Sequence, residues 1–224
     1  MSEPLEEMGA FFNKRSTYYN EKHLEHVGGI ETKHMIASIL PENAKSIIDL
    51  GIGTGLELEA IFKRFPDIEI TGFDIAENML DVLKEAYPGK KITLFCENYL
   101  KYDLGNELYD VALSVLTLHH YSHDIKTDLY RKIYRCIKKN GVYIERDYIL
   151  TDLDQEKAQE EENFYFSECE RIKNEQGITD DKEYHYDTPC TLSNQIKMLS
   201  AAGFKNINHI ECAQENAAIL IAEK

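Results

Sequence analysis

Three glycines that alternate with single residues follow an apolar run, and no other stretch of this sequence is better suited to chemistry. They are Gly51, Gly53 and Gly55. Glycine has no Cβ, so the backbone can take strained angles and a ligand can approach it closely. A helix is expected over residues 54–65, with Thr54 as its cap. Its free N–H groups and positive end would face an anionic group, which predicts a small-ligand site at this turn.

The spacing of the glycines excludes two common nucleotide sites. A dinucleotide fold needs G-x-G-x-x-G, but the third glycine stands one residue early and Leu56 takes its place. A P-loop needs a Gly-Lys-Ser/Thr sequence, which does not follow. What remains, Asp49-x-Gly51-x-Gly53-x-Gly55, resembles the signature of class I S-adenosylmethionine-dependent methyltransferases. On the motif alone, a glycine-rich turn of another α/β protein stays open.

An acid after the second expected strand supports the resemblance. Asp74 ends the apolar run 68–73 and stands 23 residues after Gly51, about where nucleotide-binding α/β folds place a ribose-binding carboxylate. The resemblance implies this ribose role. Asp74 also suits the N-cap of the helix expected over residues 76–87, and one carboxylate can serve both purposes.

The resemblance also implies further contacts to S-adenosylmethionine and its product S-adenosylhomocysteine. Ile75 and Met79 would flank the adenine, and Asn98 or Tyr99 would reach its amino group, although many members of the family carry Asp near Asn98. Ser114, on the fourth strand, completes the expected cofactor contacts together with Asp49, the glycines and Tyr19 from the N-terminal segment.

The order of apolar segments predicts the elements that position these residues. Strands alternate with helices, which indicates α/β architecture. With the resemblance, we expect one domain over residues 1–224 with a three-layer Rossmann-like methyltransferase fold and a mostly parallel seven-stranded sheet whose C-terminal strand is antiparallel. The expected later strands cover residues 91–96, 109–115, 141–149, 204–212 and 216–223, and the expected later helices cover 125–138 and 191–202, with Gly141 ending the first of these two.

Two segments lie outside the common core. In the resembled family an N-terminal helical segment folds over the cofactor, so residues 1–44 are expected to form a helical lid, interrupted near Gly28, with Tyr18 or Tyr19 at the methionine end. The insertion 151–190 is expected to carry a long helix and to bind the acceptor. Ordinary packing remains the alternative for the tyrosines, and a solvated face remains the alternative for the acidic run of the insertion.

The candidate catalytic residues follow the fourth strand. A sulfonium methyl is already activated, so alignment of acceptor, methyl carbon and sulfur at about 3 Å can supply most of the rate. A base is needed only when the acceptor must lose a proton. His119 and His120 lie where open α/β sheets keep their ligands, but a histidine just after a strand is often a capping or packing residue. No metal is expected, and metal binding through His119, His120, His123 and Asp124 stays open as an alternative because imidazole and carboxylate are competent ligands.

Composition limits the classes of substrate that this chain is expected to bind. The net charge of −15 disfavours a nucleic-acid substrate, because such enzymes carry a basic face. We therefore expect a small-molecule acceptor, and we keep an RNA (tRNA) methyltransferase and a non-catalytic cofactor-binding module as alternatives. The longest apolar run, 111–118, is too short to span a bilayer, and five scattered cysteines fit a reducing, cytoplasmic location. The sequence indicates neither the acceptor atom nor the oligomeric state.

Overall fold

Helices and strands alternate along the chain, as the apolar pattern predicts. The computed structural model describes residues 4–26, 29–150, 154–212 and 216–224. The helices are α1 Met8–Asn13, α2 Tyr19–His26, α3 Gly29–Ile39, α4 Leu58–Arg64, α5 Glu77–Ala86, α6 His123–Cys136, α7 Gln155–Glu175 and α8 Leu192–Ala202. The strands are β1 Ser46–Leu50, β2 Glu69–Asp74, β3 Ile92–Cys96, β4 Tyr109–Val115, β5 Ile137–Leu150, β6 Cys190–Thr191, β7 Lys205–Cys212 and β8 Ala217–Glu223.

The strands form one mixed sheet in the order β3-β2-β1-β4-β5-β8-β7, with the short β6 paired to β5. Strands β1 to β5 are parallel, and β8 is antiparallel to both β5 and β7. The strand order reverses between β1 and β4, and open α/β sheets bind ligands outside the carboxyl ends of the strands at such a point. The expected fold class is confirmed; β6 is an eighth strand that the sequence did not predict.

Two hydrophobic cores lie on opposite faces of the sheet because neighbouring residues of a strand point to opposite sides. Ile48 belongs to the core that includes residues of α6 and α8, and Ile47 belongs to the core that includes residues of α3, α4 and α5. Both residues are fully buried. Helices on both faces of a central sheet give the three layers expected from the sequence.

The helix after the glycine turn begins later than predicted. It starts at Leu58, and the side chain of its N-cap residue, Glu57, makes no capping bond. Thr54 is therefore not the cap: its hydroxyl donates to Oδ1 of Asn20 at 2.6 Å, which connects the turn to α2. The expected helical anion site at Thr54 is wrong, because the residues between Thr54 and Leu58 form turns.

The junction of α6 and β5 also differs from the prediction. Helix α6 ends at Cys136 and β5 begins at once, so Gly141 lies within the strand and does not end the helix. The pairing of β4 with β5 shifts register between Tyr109 and Val111. A Cβ on Gly141 would lie 2.9 Å from the backbone oxygen of Asp110, so this glycine permits close backbone contact at the irregularity. Between these pairs β4 has one residue and β5 has four, and a bulge of this kind leaves no signature in a helix-period pattern.

Helix α2 ends at His26 and α3 begins at Gly29. The break that the sequence predicts near Gly28 lies outside the described residues. Among the helices of the described ranges, none combines the length and the apolar character needed to cross a membrane.

Candidate functional site

A cleft opens at the carboxyl ends of β1 and β4, where the strand order reverses. About 530 Å³ of space lies between its walls, part of it open to solvent. Its lining includes seven residues predicted from the sequence, namely Tyr19, Gly51, Gly53, Asp74, Ile75, Met79 and Tyr99, and also His120. The remaining lining residues are Met8, Phe12, Val115, Leu116, Thr117 and Tyr121.

The glycine turn approaches the cleft with its backbone. Gly51 and Gly53 have φ of 76° and 52°, a region that residues other than glycine rarely adopt. A Cβ on Gly51 would lie 2.2 Å from Oγ1 of Thr117, whereas the nearest atom to a Cβ on Gly53 is 4.0 Å away. Gly51 is therefore required for packing against the end of β4, and Gly53 leaves open space beside the turn.

The carboxylate of Asp74 organises this turn. Its Oδ2 accepts from the backbone N–H of Gly53 at 2.9 Å, and its Oδ1 accepts from Ala76 at 2.8 Å. Burial raises its pKa to about 6, although these backbone bonds act in the opposite direction. An ionised carboxylate offers about four lone-pair sites, so two remain for hydroxyl donors of a ligand.

Two more acids stand near Asp74 and share its electrostatic environment. Asp49 is 1% exposed, and its Oδ2 is a buried atom without a hydrogen-bond partner among the described residues. Burial, reinforced by the charges of Glu57 and Asp74, raises the pKa of Asp49 well above its usual value. Burial likewise raises the pKa of Glu57 to about 7, against the opposing charges of Arg146 and Lys33. Three carboxyl groups that repel one another here favour a cationic ligand.

Four predicted cofactor residues, namely Asp49 and the three described next, are not among the residues that line the cleft. The Ser114 hydroxyl is buried and bonds to that of Tyr143 at 2.7 Å. Oδ1 of Asn98 accepts from the N–H of Leu100 at 2.8 Å, which stabilises a local turn. A Cβ on Gly55 would crowd side chains of α4 and α5, so that glycine permits the two helices to pack. These predictions followed a family pattern, which does not give the direction of each side chain.

Sequence reasoning missed Glu57 and Leu116. Glu57 looks like an ordinary acid at a helix start, and no spacing rule distinguishes it. Leu116 lines the cleft with φ of 53°, an outlier for a bulky residue. Its N–H donates to the carbonyl of Arg146 at 2.8 Å, so the end of β4 is bound to β5 in this strained form. Strain of this kind concentrates at functional sites.

The two predicted histidines meet at the mouth of the cleft. Nδ1 of His119 lies 2.5 Å from Oδ1 of the buried Asp147. His120 has a side chain only 3% exposed, and its Nδ1 lies 3.2 Å from Oδ1 of Asp187. Its Nε2 is buried with no hydrogen-bond partner among the described residues. Burial and the neighbouring His119 lower the pKa of His120, so its imidazole is neutral at neutral pH.

The N-terminal segment and the insertion meet above the cleft. Glu7 and Tyr184 form an antiparallel bridge. The N–H of Met8 donates to the carbonyl of Glu183 at 2.8 Å, and the N–H of His185 donates to that of Glu6 at 2.9 Å. These three contacts, which we call the lid bridge, hold α1 over the cleft.

A second pocket, which we call the outer pocket, adjoins the cleft. It shares Phe12, Tyr19, Leu116 and His120 with the cleft. Its other lining residues are Phe11, Arg15, Tyr18, Lys22, His119, Tyr148, His185 and Asp187. The outer pocket therefore brings the predicted lid tyrosines, the two histidines and the segment Tyr184–Asp187 to the same side of the cleft.

Comparison with known proteins places the chain among enzymes that use S-adenosylmethionine. A sequence profile described as "Methyltransferase domain" matches residues 47–141. Carboxy-S-adenosyl-L-methionine synthase of Campylobacter hominis is 31% identical over 199 residues, which cover 85% of this chain and 81% of that protein. Malonyl-[acyl-carrier protein] O-methyltransferase of Bacillus cytotoxicus is 28% identical over 137 residues, which cover 59% of this chain and 46% of that protein.

A solved structure supports the fold. Human N-acetylserotonin methyltransferase in complex with S-adenosylmethionine superposes with a TM-score of 0.65 at 17% identity, and the match covers 95% of this chain and 55% of that chain. The chain thus spans about half the length of two of these three relatives. Its similarity to carboxy-S-adenosyl-L-methionine synthase extends over most of both sequences.

Proposed function

This chain belongs to the class I S-adenosylmethionine-dependent methyltransferase family, and from that premise we propose that it transfers the methyl group of S-adenosylmethionine to a small-molecule acceptor. The methyl carbon leaves the sulfonium for the acceptor, and S-adenosylhomocysteine is the product. The acceptor's proton, where it has one to lose, goes to a nearby base or to water.

One observation carries the choice of cofactor: a buried, unpartnered carboxyl oxygen of Asp49 in a group of three acids. S-adenosylmethionine has a positive sulfonium and a positive ammonium group. An ammonium is a pure donor and can satisfy an acceptor such as Oδ2 of Asp49. A dinucleotide would bring two negative phosphates towards Asp49, Glu57 and Asp74, which electrostatics opposes.

The residues that line the cleft fit the nucleoside part of the same cofactor. We assign ribose recognition to Asp74, whose carboxylate has acceptor sites in addition to the two used by Gly53 and Ala76. Ile75 and Met79 supply apolar surface for the adenine, and Tyr99 lines the same cleft. Tyr19 and Phe12 come from the N-terminal segment, so we assign residues 1–44 the role of a lid.

The outer pocket is the proposed acceptor site. His120 lines both cavities, so a molecule in the outer pocket meets the cofactor beside this side chain. Arg15 and Lys22 place two positive charges in that pocket, on a chain whose net charge is −15. We therefore propose a small acceptor with an anionic group. The net negative charge of the whole molecule opposes binding of a polynucleotide.

A second candidate is formation of carboxy-S-adenosyl-L-methionine. It is favoured because the Campylobacter hominis synthase matches over more than four fifths of both chains. The two activities leave different nucleosides: methyl transfer leaves S-adenosylhomocysteine, and the second activity leaves a carboxylated cofactor. Mass spectrometry of the nucleoside pool distinguishes them in one experiment.

The decisive experiment has two parts. Calorimetry should show binding of S-adenosylmethionine and S-adenosylhomocysteine, with NAD and ATP far weaker. Metabolite pools should then yield a labelled product when the methyl group of the cofactor carries the label. Tight NAD binding without S-adenosylmethionine binding contradicts the proposal, and cofactor binding without turnover on any pool identifies a non-catalytic binding module.

We also propose that the chain works in the cytoplasm. Cys96, Cys136, Cys169 and Cys190 have free thiols, which agrees with a reducing compartment. Fractionation of cells that produce the protein at its natural level, followed by immunoblotting, tests this assignment.

A further inference from the structure

Three histidines and one exposed carboxylate gather where the cleft meets the outer pocket. His119, His120 and Asp187 each offer one ligand atom, and these atoms all lie within 4.8 Å of one another. His185 adds Nε2 at 3.8 Å from Oδ1 of Asp187. We propose that His119, His120 and Asp187 bind a divalent first-row transition-metal ion such as Fe²⁺, Co²⁺ or Zn²⁺.

The distances suit such an ion. Oδ1 of Asp187 lies 3.6 Å from Nε2 of His119 and 3.2 Å from Nδ1 of His120. An ion bound at about 2.0–2.2 Å by nitrogen and oxygen ligands in a tetrahedron separates its ligands by about 3.3–3.5 Å. Two imidazoles and one carboxylate suit zinc or iron and leave coordination positions open, whereas magnesium and calcium prefer oxygen ligands.

A buried carboxylate on the far side of the ring fixes the position of His119. Its Nδ1 contacts Asp147, which is 1% exposed, so its Nε2 is directed towards Asp187. Metal-bound histidines usually have a carboxylate on the second ring nitrogen, which sets tautomer and orientation. The backbone supports the same arrangement, because the N–H of Thr188 donates to the carbonyl of His119 at 2.6 Å and positions the segment that carries Asp187.

The carboxylates also match a dication. Asp147 lies against the ring of His119, and Asp187 lies beside both His119 and His120. Two carboxylates at the site would balance a double positive charge.

A metal ion at this site would determine the class of acceptor, and this step rests on the proposed function. Ligation through Nδ1 of His120 places the proton of that ring on Nε2, which has no hydrogen-bond partner in the described part of the chain. His120 then donates a hydrogen bond and cannot serve as a base. The open coordination positions would bind an oxygen of the acceptor, so the acceptor class becomes small anions with a hydroxyl or carboxylate group that can coordinate a metal.

A second histidine cluster is the main competitor. His123, Glu162 and Cys190 also lie within ligand distance of one another. However, Nζ of the buried Lys126 lies 3.5 Å from Sγ of Cys190, and an ammonium at that position repels a dication. The competitor is distinguishable because it contains a thiolate and the proposed site does not.

The test uses Co²⁺ alone, added to purified full-length protein that has been treated with a chelator and contains no cofactor. We expect one equivalent to bind and to give visible absorption without a thiolate-to-cobalt band. Asp187→Asn should weaken binding more than about 100-fold, and Asp147→Asn, which leaves the ligands intact, by about 10–100-fold. His209→Gln, on the partly exposed β7, is the matched control and should leave the affinity unchanged.

Three results would overturn the metal site: no Co²⁺ binding by the parent protein, an affinity that Asp187→Asn does not change, or a thiolate band that His123→Gln removes. Circular dichroism verifies the fold of each variant. S-adenosylmethionine binding is measured separately in excess EDTA. Loss of the metal proposal therefore leaves cofactor binding intact, and failure of the proposed function appears as absent cofactor binding even where Co²⁺ binds.

Discussion

Asp74 shows how one side chain at the cleft serves both the fold and the ligand. It accepts from Gly53 and Ala76, which fixes the turn, and it lines the cleft. Asp74→Asn keeps the shape but removes the charge. Because hydrogen bonds to charged groups contribute about 1.5–3 kcal/mol, we expect calorimetry to show about 10–100-fold weaker binding of S-adenosylmethionine.

Asp103→Asn is the control for this change. Asp103 is exposed and pairs with Arg135 at 2.9 Å, outside the residues that line the cleft. Its substitution should leave cofactor affinity unchanged. A loss below threefold for Asp74→Asn would show that Asp74 only fixes the turn.

We expect a methyl group at Gly53 to weaken ligand binding. Gly53→Ala places a Cβ in open space beside the cleft at positive φ, which costs the fold about 1–2 kcal/mol. Gly89→Ala is a matched control, because Gly89 has φ of 76° and no atom within 4 Å of its Cβ position. Both variants should lose similar thermal stability, but only Gly53→Ala should lose about tenfold or more in cofactor affinity. Equal affinities would refute close approach of the ligand at Gly53.

Glu57 should make the stability of the ligand-free protein depend on pH. Its pKa of about 7 in the fold exceeds the usual 4.5, so the native state holds more protons between these values. Stability is therefore present below about pH 4.5 and is lost as pH rises through 7. In thermal melts, Glu57→Gln should raise the Tm at pH 8 more than at pH 5, whereas the exposed Glu77→Gln should show no such difference. A pH-independent effect of Glu57→Gln would contradict the raised pKa.

The sequence predicted the individual residues whose roles depend on the local backbone. Gly51, Gly53 and Asp74 follow from the backbone demands of one strand-to-helix turn and its neighbour. Glu57 and the direction of the Ser114 side chain depend on how distant elements pack, and a single sequence contains no local pattern for them.

Helix α1 is placed by long-range contacts and by one close approach to the segment between β2 and α5. A Cβ on Gly9 would lie 3.2 Å from the carbonyl oxygen of Ile75, so a larger side chain must push α1 away from the cleft. We expect Gly9→Val to weaken cofactor binding and to speed trypsin cleavage at Lys14 and Arg15. Ala10→Val introduces the same side chain on the exposed face of the same helix and should change neither measurement, although only this control lowers helix propensity. Unchanged binding in Gly9→Val would mean that α1 does not cover the cofactor.

The elements themselves were predictable to the extent that their apolar patterns are long. Strands β1 to β4 and helix α8 follow directly from such runs. Strand β6 has two residues, and the bulge at the start of β5 resembles a helix end, so both escape pattern analysis. The lid bridge joins residues more than 170 positions apart, and no local sequence pattern predicts such a contact.

The charge of the whole molecule predicts its behaviour towards nucleic acid. With 40 acidic and 25 basic residues, the chain repels phosphates over most of its surface. In a gel-shift assay with bulk tRNA at low salt, we expect no retained complex. A complex that forms at low salt and dissociates as salt rises would instead reveal a basic groove and favour the RNA alternative.

The lid bridge also has a consequence for the order of events during turnover. Because α1 is bonded to residues 183–185, which carry one wall of the outer pocket, the two cavities do not open independently. A cofactor bound in the cleft would lie beneath both segments, so we expect it to enter before the acceptor and its product nucleoside to leave after the methylated product. We also expect separation of these two backbone segments, and not methyl transfer itself, to limit the number of catalytic cycles per second.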